Sequence, residues 1–476
     1  MTCATSESSG PQTAFVSPAR SGGGPRYRAY GRRHIRRIRQ LVAMPRERRI
    51  GLEVASAVLP FRVNDYVLDE LIDWTDVPDD PIFQLTFPRA EMLDHRDFVR
   101  LQDLIRSGAD AALVARRVAE IQMRMNPHPA GQLDLNIPVV NGWKVSGCQH
   151  KYRETVLVFP KAGQTCHAFC TYCFRWPQFA GIEGLRLVND DIDQVVGYLR
   201  GRPEVTDVLI TGGDPLVMST SMLRRVVEPL LTGDVGHLTS IRIGTKALAY
   251  WPYRFTTDAD ADDLMRLFEK VRESGRQLAL MAHFSHPREL GTEAARRALR
   301  RVENTGAVVR CQAPLVRHVN DRAELWGDLW REQVRLGAVP YYMFVQRDTG
   351  PRAYFEVPLA TAHRIFVAAA RQVSGLGRTV RGPVMSARPG KILIDGVAEL
   401  EGERVFVLKM IQGRDPSWAG RVFFARYDPT ATWLDDLEPA FGETEFFFEP
   451  ALRDMAASDW RSRWWGDLTG DEPRQA

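Results

Sequence analysis

The chain has 476 residues, 44% of them hydrophobic and 26% charged, an ordinary globular composition that excludes disorder throughout. No run approaches the ~18 uninterrupted apolar residues that a membrane-spanning helix needs, and six cysteines in so long a chain do not make a disulfide scaffold. The net charge of +4 is unevenly spread: residues 1–50 carry 11 arginines against 2 glutamates, net +9, and the other 426 carry 52 basic against 57 acidic groups, net −5.

Residues 1–45 read as a disordered basic arm, because Gly22, Gly23, Gly24 and Pro25 lead into an arginine run ending at Arg39. The arm reads as a solvated tail rather than a contact for nucleic acid or acidic lipid, and it lacks the apolar segment of a secretory signal. Arginine outnumbers lysine 56 to 7, so any chemistry that needs a lysine amine has only seven candidates.

Residues 46–145 read as a helical N-terminal region. Leu101, Leu104, Ile105, Val114, Val118 and Ile121 fall near helical spacing, and Pro127, Pro129 and Gly131 end the segment. From Val156 the pattern changes to short aliphatic runs alternating with amphipathic helices. The runs are Val156–Phe159, Val205–Thr211, Leu238–Ile243, Leu278–Phe284, Val308–Leu315 and Val339–Phe344. The helix through Leu264, Leu267, Phe268 and Val271 is expected to cap at Thr257 or Asp258 and stop at Gly275. Six strand–helix units over residues 146–376 predict an α/β fold, an incomplete six-unit version of the eight-unit barrel. Residues 377–476 form a C-terminal segment with strand-like runs at Ile392–Ile394, Val405–Leu408 and Val422–Ala425 and a Trp/Phe-rich end, expected to pack over the barrel.

The loop after the first strand reads Cys166-His-Ala-Phe-Cys170-Thr-Tyr-Cys173. Three thiolates at i, i+4 and i+7 suit three corners of one [4Fe–4S] cube and leave the fourth iron open to a small molecule; an electron-transfer centre would use four cysteines. Structural zinc also wants four ligands, and His167, adjacent in sequence to Cys166, is badly placed to be the fourth. The loop stands at the C-terminal end of a barrel strand, where catalytic loops belong. A second motif, Gly212-Gly213-Asp214-Pro215, follows the next strand; its glycines suit close backbone approach to a ligand and its carboxylate suits an ammonium group.

CxxxCxxC on this fold, with Tyr172 before the last cysteine, resembles the radical S-adenosylmethionine (SAM) enzymes. The resemblance implies that SAM chelates the open iron, is split reductively, and yields a 5′-deoxyadenosyl radical that abstracts hydrogen from an unactivated carbon. Gly212, Gly213 and Asp214 resemble the element that holds the SAM amino group.

The order of motifs over roughly residues 130–400 resembles the lysine 2,3-aminomutase family. The pieces are His150-Lys-Tyr152, Cys173-Phe-Arg175, Gly212-Gly-Asp214, Ile241-Arg-Ile-Gly244-Thr-Lys246, His283-Phe-Ser-His286-Pro287, Val319-Asn-Asp321 and Pro389-Gly-Lys391. This implies a radical isomerase that moves an α-amino group to the β-carbon, with pyridoxal phosphate (PLP) carrying the migrating nitrogen. Lys391 matches the PLP-anchoring lysine, with Lys409 and Lys246 as rivals. Arg175 matches the arginine that pairs with the substrate carboxylate, Lys151 and Tyr152 a pair that supports PLP, and His283 and Gln312 positions that contact SAM. A second arginine for the PLP phosphate falls on Thr155. Of two aspartates that hold a lysine side chain, Asp348 stands for one, and the other falls near the uncharged Ser386.

These readings imply a small amino-acid substrate, lysine, arginine or a related amino acid, and a reductant of the flavodoxin or ferredoxin type. They also imply relatives that associate as homo-oligomers, and a cytoplasmic location suited to thiolate-bound clusters. Two other functions fit the same motifs: a radical SAM enzyme of this fold without PLP acting on another substrate, and a non-catalytic iron–sulfur protein.

Overall fold

Ile35, Ile38 and Leu41 recur every three residues, which is the period of a 3₁₀-helix. In the computed structural model, which describes residues 24–126, 135–140, 143–182 and 185–457, two such turns (Arg32–Arg37 and Arg39–Ala43) bury these three side chains to 1–2% exposure. A short strand, Ala29–Gly31, pairs with Arg62–Asn64. Residues 24–45 are therefore folded, not disordered: the arginines mark the solvent side of a region whose apolar third face joins the core. Residues 1–23, the Pro127–Gly131 stop signal and the Trp-rich end beyond residue 457 lie outside the described residues.

Four helices follow, α1 (Arg46–Val58), α2 (Pro81–Thr86), α3 (His95–Arg106) and α4 (Ala111–Arg124). Asp80, Asp94 and Asp110 cap α2, α3 and α4 by accepting backbone N–H bonds from the first turn.

The remaining chain builds one eleven-stranded sheet in strict sequential order. β1 (Cys148–Tyr152) pairs antiparallel with β2 (Thr155–Val158). Parallel to β2 run β3 (Asp207–Ile210), β4 (Ser240–Thr245), β5 (Gln277–His283), β6 (Val308–Leu315), β7 (Val339–Val345) and β8 (Arg381–Ser386). The crossovers carry α5 (Ile192–Arg200), α6 (Thr220–Thr232), α7 (Ala261–Glu273), α8 (Glu293–Glu303), α9 (Ala323–Arg335) and α10 (Leu359–Ala370). Six strand–helix units stand in the expected order. The parallel run has a seventh strand, β8, which its Gly382-Pro383 pair hides in the sequence. The cap of α7 is Asp260, not Thr257 or Asp258; the Asp258 carboxylate accepts instead from the Trp251 indole. Gly275, at φ +83°, ends α7 as expected.

The C-terminal segment continues the sheet of the strand–helix units. β9 (Gly390–Leu400), β10 (Glu403–Gly413) and β11 (Val422–Arg426) extend the same sheet antiparallel from β8. They carry a second core, in which Ile392, Leu408, Trp418 and Phe448 pack with Val345 and Leu359 of the last unit; α11 (Glu449–Ala457) closes it.

Alternation sets the inner face. On β4, Ile241 and Ile243 are buried on one side while Arg242 and Gly244 face the other. Ten consecutive strands, from Tyr152 on β1 to Gln412 on β10, contribute to the lining of one cavity of about 260 Å³. Laid flat, ten strands would span about 43 Å, so the sheet is curled around that cavity. Among the described residues no helix is long and apolar enough to cross a membrane.

Candidate active site

The cysteine loop leaves β2 and is tied down by the N-terminal region. Phe169 N donates to Arg62 O at 2.9 Å and Thr171 N to Leu85 O at 2.8 Å. The His167 carbonyl accepts from Asn64 Nδ2 at 3.1 Å and from Tyr27 Oη at 2.9 Å. Cys166, Cys170 and Cys173 line one cavity of about 200 Å³. Burial pushes all three thiols up, Cys173 to about 12; Asp214 and the other two thiols add to the effect at Cys166 and Cys170 adds to it at Cys173, while Lys246 opposes it at Cys170. Burial pushes His167 down to about 3, and its Nδ1 finds no partner among the described residues.

Gly212, Gly213, Asp214, Arg175, His283 and Gln312 line the same cavity, as the sequence leads one to expect. Their contacts revise their roles. Gly212 stands at φ +142°, and a Cβ on it or on Gly213 would collide with Gln164 or with the Thr165 backbone. These glycines let the start of the cysteine loop pack onto the end of β3. The Asp214 carboxylate is already occupied: it accepts from Leu216 N at 3.0 Å, Thr245 Oγ1 at 2.8 and 2.9 Å, and Lys246 N at 2.8 Å. It clamps the ends of β3 and β4 together instead of presenting a free carboxylate to an ammonium group. Burial outweighs these bonds and holds its pKa up.

Arg175 Nη1 donates to Thr211 Oγ1 at 2.7 Å and to Gly212 O at 2.8 Å, and the guanidinium lies 5.0 Å from the Phe159 ring centre and 5.1 Å from that of Phe174. Burial lowers it to about 10, with Arg347 pushing the same way against the cysteines. Tyr172 Oη shares hydrogen bonds with His283 Nε2 at 2.8 Å and Ser285 Oγ at 2.9 Å. Burial keeps His283 neutral, and Lys246 pushes the same way.

Lys391 projects from β9 into the 260 Å³ cavity. Its Nζ donates to Gln412 Oε1 at 2.7 Å and lies 5.1 and 5.2 Å from the ring centres of Tyr152 and Tyr342. Burial, with Arg242 and Arg381 nearby, lowers its pKa to about 7 against the pull of Asp207. The rivals are otherwise engaged or misplaced. Lys246 forms a buried ion pair with Glu289 at 2.7 Å, and Lys409 lines neither cavity. The two cavities share Tyr172, Phe174, Leu209, Met281, His283 and Gln312 as a common wall.

Two expected site residues do not reach either cavity. Lys151 donates to Ala387 O at 2.5 Å, supporting the turn before Lys391 from behind; burial beside Arg414 and Arg347 drives its pKa far down. Asp348 lies against Arg347, 3.5 Å from Nε, and only 4% of its surface is exposed. In its place the lysine cavity is lined by Gln346, Arg347, Ser386, Arg242, Tyr342 and Gln412. Arg242 was legible as a lone polar residue between Ile241 and Ile243 on a strand otherwise buried under helices; Arg347 and Gln412 carry no comparable signal.

A scan against protein-family models finds no match. Comparison with curated proteins does. An Aquifex aeolicus (strain VF5) protein named "Putative L-lysine 2,3-aminomutase" is 31% identical over 405 residues, 85% of this chain and 94% of that protein. The L-lysine 2,3-aminomutase of Clostridium subterminale is 25% identical over 65% of this chain and 62% of its own length. That of Bacillus subtilis (strain 168) is 24% identical over 71% and 61%. Among solved structures, a radical SAM methyltransferase from Sphaerobacter thermophilus matches 47% of this chain and 66% of its own at 18% identity, with a TM-score of 0.34, a likeness confined to part of each chain. The extent of the Aquifex match, together with a thiol-lined cavity walled against a lysine-bearing one, leads to one conclusion: the chain belongs to the lysine 2,3-aminomutase family, radical SAM isomerases whose cofactors are a [4Fe–4S] cluster, SAM and PLP.

Proposed function

We propose that this chain is a 2,3-aminomutase that moves the α-amino group of a free amino acid to its β-carbon, with Lys391 anchoring PLP and Cys166, Cys170 and Cys173 holding the cluster. One observation carries the reading: the thiol cavity and the Lys391 cavity share six wall residues, so a radical made in one has its target in the other. The curled open sheet is read as the incomplete barrel of radical SAM enzymes, with its interior given to these two cavities.

The residues fit the groups. Three half-buried thiols line one cavity, yet among the described residues no trio of His, Cys, Asp or Glu converges on a single ion. A cube spreads its ligands over separate irons, so it does not need them to converge. Binding to iron deprotonates thiols that burial otherwise keeps neutral. For PLP, Lys391 offers an amine that desolvation frees of its proton near neutrality, which is the state a carbonyl requires. The flanking Tyr152 and Tyr342 rings suit a planar heterocycle.

When bound, the cluster and SAM supply the hydrogen-abstracting radical and PLP stabilises the migrating nitrogen. The protein does the rest. Asp214 keeps the Gly-Gly loop seated on the cysteine loop. Tyr172, bonded to His283, forms the partition between the two sites and fixes the side chains there. Gln412 orients the Lys391 amine. Burial excludes water, which would quench a radical. An electron from a flavodoxin- or ferredoxin-type protein in a reducing cytoplasm starts the cycle.

Anaerobic reconstitution tests the reading. Wild type should show PLP absorbance that is absent in Lys391→Ala, and Cys170→Ala should lose the brown iron–sulfur chromophore and at least ~10³-fold of SAM cleavage. In contrast, Cys311→Ala, on a cysteine buried outside both cavities, should keep them. Reconstituted wild type without PLP rejects the aminomutase and leaves a PLP-free radical SAM enzyme. Failure to cleave SAM after reduction leaves a non-catalytic cluster protein.

A further inference from the structure

Two guanidiniums approach the Phe174 ring. That of Arg175 lies 5.1 Å and that of Arg347 5.4 Å from its ring centre. Phe174 belongs to both cavities, Arg175 lines the cysteine cavity and Arg347 the lysine cavity, so the two cations meet at the common wall. Both side chains are largely buried, and they act on each other as like charges. Arg347 is packed further by the Trp433 ring, 5.4 Å away. Among the described residues its one carboxylate neighbour is Asp348, at 3.5 Å and through Nε, which leaves the two-pronged Nη end without an acid there. Buried cations are costly unless an anion joins them, and a guanidinium is the group that takes a carboxylate through two parallel bonds.

The rest of the lining has the same sign. Among the described residues of the two cavities the sole carboxylate is Asp214, whose oxygens are committed to Leu216, Thr245 and Lys246. Arg242 is already paired with Asp207, so a substrate with a cationic side chain would enter beside Arg347 and Lys391 and find no free carboxylate on the lining. A substrate with two carboxylates would neutralise both guanidiniums at once.

We propose that the substrate is an α-amino dicarboxylic acid, with Arg175 taking one carboxylate and Arg347 the side-chain carboxylate as the specificity-determining residue. This deepens the aminomutase reading and rests on it.

Calorimetric titration of the PLP-, cluster- and SAM-loaded protein without reductant, where binding proceeds and turnover does not, tests it. The probes are L-glutamate, L-aspartate, L-leucine and L-lysine. One of the two acidic amino acids should bind at least about tenfold more tightly than leucine and lysine. Arg347→Gln should erase that preference while leaving leucine affinity unchanged, and Arg347→Lys should restore part of it. Tightest binding of lysine or leucine overturns the proposal and leaves the aminomutase reading standing, as does a preference for acids that survives Arg347→Gln. Binding of none of the four, with no change in the PLP absorbance, overturns both. Should Arg347→Gln not fold, the wild-type ranking and Arg347→Lys still decide.

Discussion

Lys391 and Gln412 face each other across β9 and β10, and the lysine amine donates to the glutamine carbonyl at 2.7 Å between two tyrosine rings. The bond holds a buried amine without neutralising it, which lets desolvation lower its pKa to about 7.

A pH dependence follows. Only the unprotonated amine attacks a carbonyl, so the rate of PLP anchoring, followed by absorbance, should level off above pH ~7 and fall about tenfold per unit below it. An ordinary lysine near 10.5 would still be rising at pH 9. The stability of the apoprotein has a matching sign. Between about 7 and 10.5 the unfolded chain binds a proton at this residue that the folded chain does not, so stability rises with pH across that window. Lys391→Met should therefore raise the apoprotein Tm at pH 7 by on the order of 1–3 °C, and by less at pH 10.

Lys246 provides a contrast between two buried lysines. Its amine sits 2.7 Å from Glu289, whose other oxygen accepts from Ser285 N and His286 N. Lys246→Met leaves that carboxylate buried and uncompensated, so chemical denaturation should show a loss of ~3–5 kcal/mol. Lys391→Met should show no such loss. PLP absorbance should follow the opposite pattern, lost in Lys391→Met and kept in whatever Lys246→Met protein folds.

Asn64 ties three elements together. Its Nδ2 donates to His167 O at 3.1 Å and to Tyr250 O at 2.9 Å, and its Oδ1 accepts from Val67 N at 3.0 Å. Asn64→Ala leaves buried backbone groups unpaired, at a cost of ~1–3 kcal/mol. Because one of them is in the cysteine loop, the reconstituted variant should also lose its iron–sulfur absorbance in air several-fold faster than wild type.

The arginine run is structural from residue 24 onward. Deleting residues 1–45 removes Ile35, Ile38 and Leu41 from the core, each worth roughly 1.5–3 kcal/mol, and with them the Tyr27 bond to the cysteine loop. The truncated chain should unfold at markedly lower denaturant concentration and reconstitute less iron. An unchanged midpoint would show that this segment contributes nothing to the fold.

The cysteine spacing, the order of strand and helix units and the placement of Lys391 after Pro389-Gly390 were determined by the sequence alone, because each depends on residues close together in the chain. The 3₁₀ face of Ile35, Ile38 and Leu41 was present there too but masked by the arginines between them, and β8 was masked by Gly382-Pro383. Only the tertiary structure decided that the Asp214 carboxylate is consumed by β4, that Lys151 supports a turn from behind, and that Arg347, not Asp348, faces the cavity. Those outcomes depend on which neighbour reaches a polar atom first, and the neighbours come from strands 30 to 240 positions away. Local spacing sets which chemistry a chain can attempt; the curl of the sheet sets which charges meet where that chemistry happens.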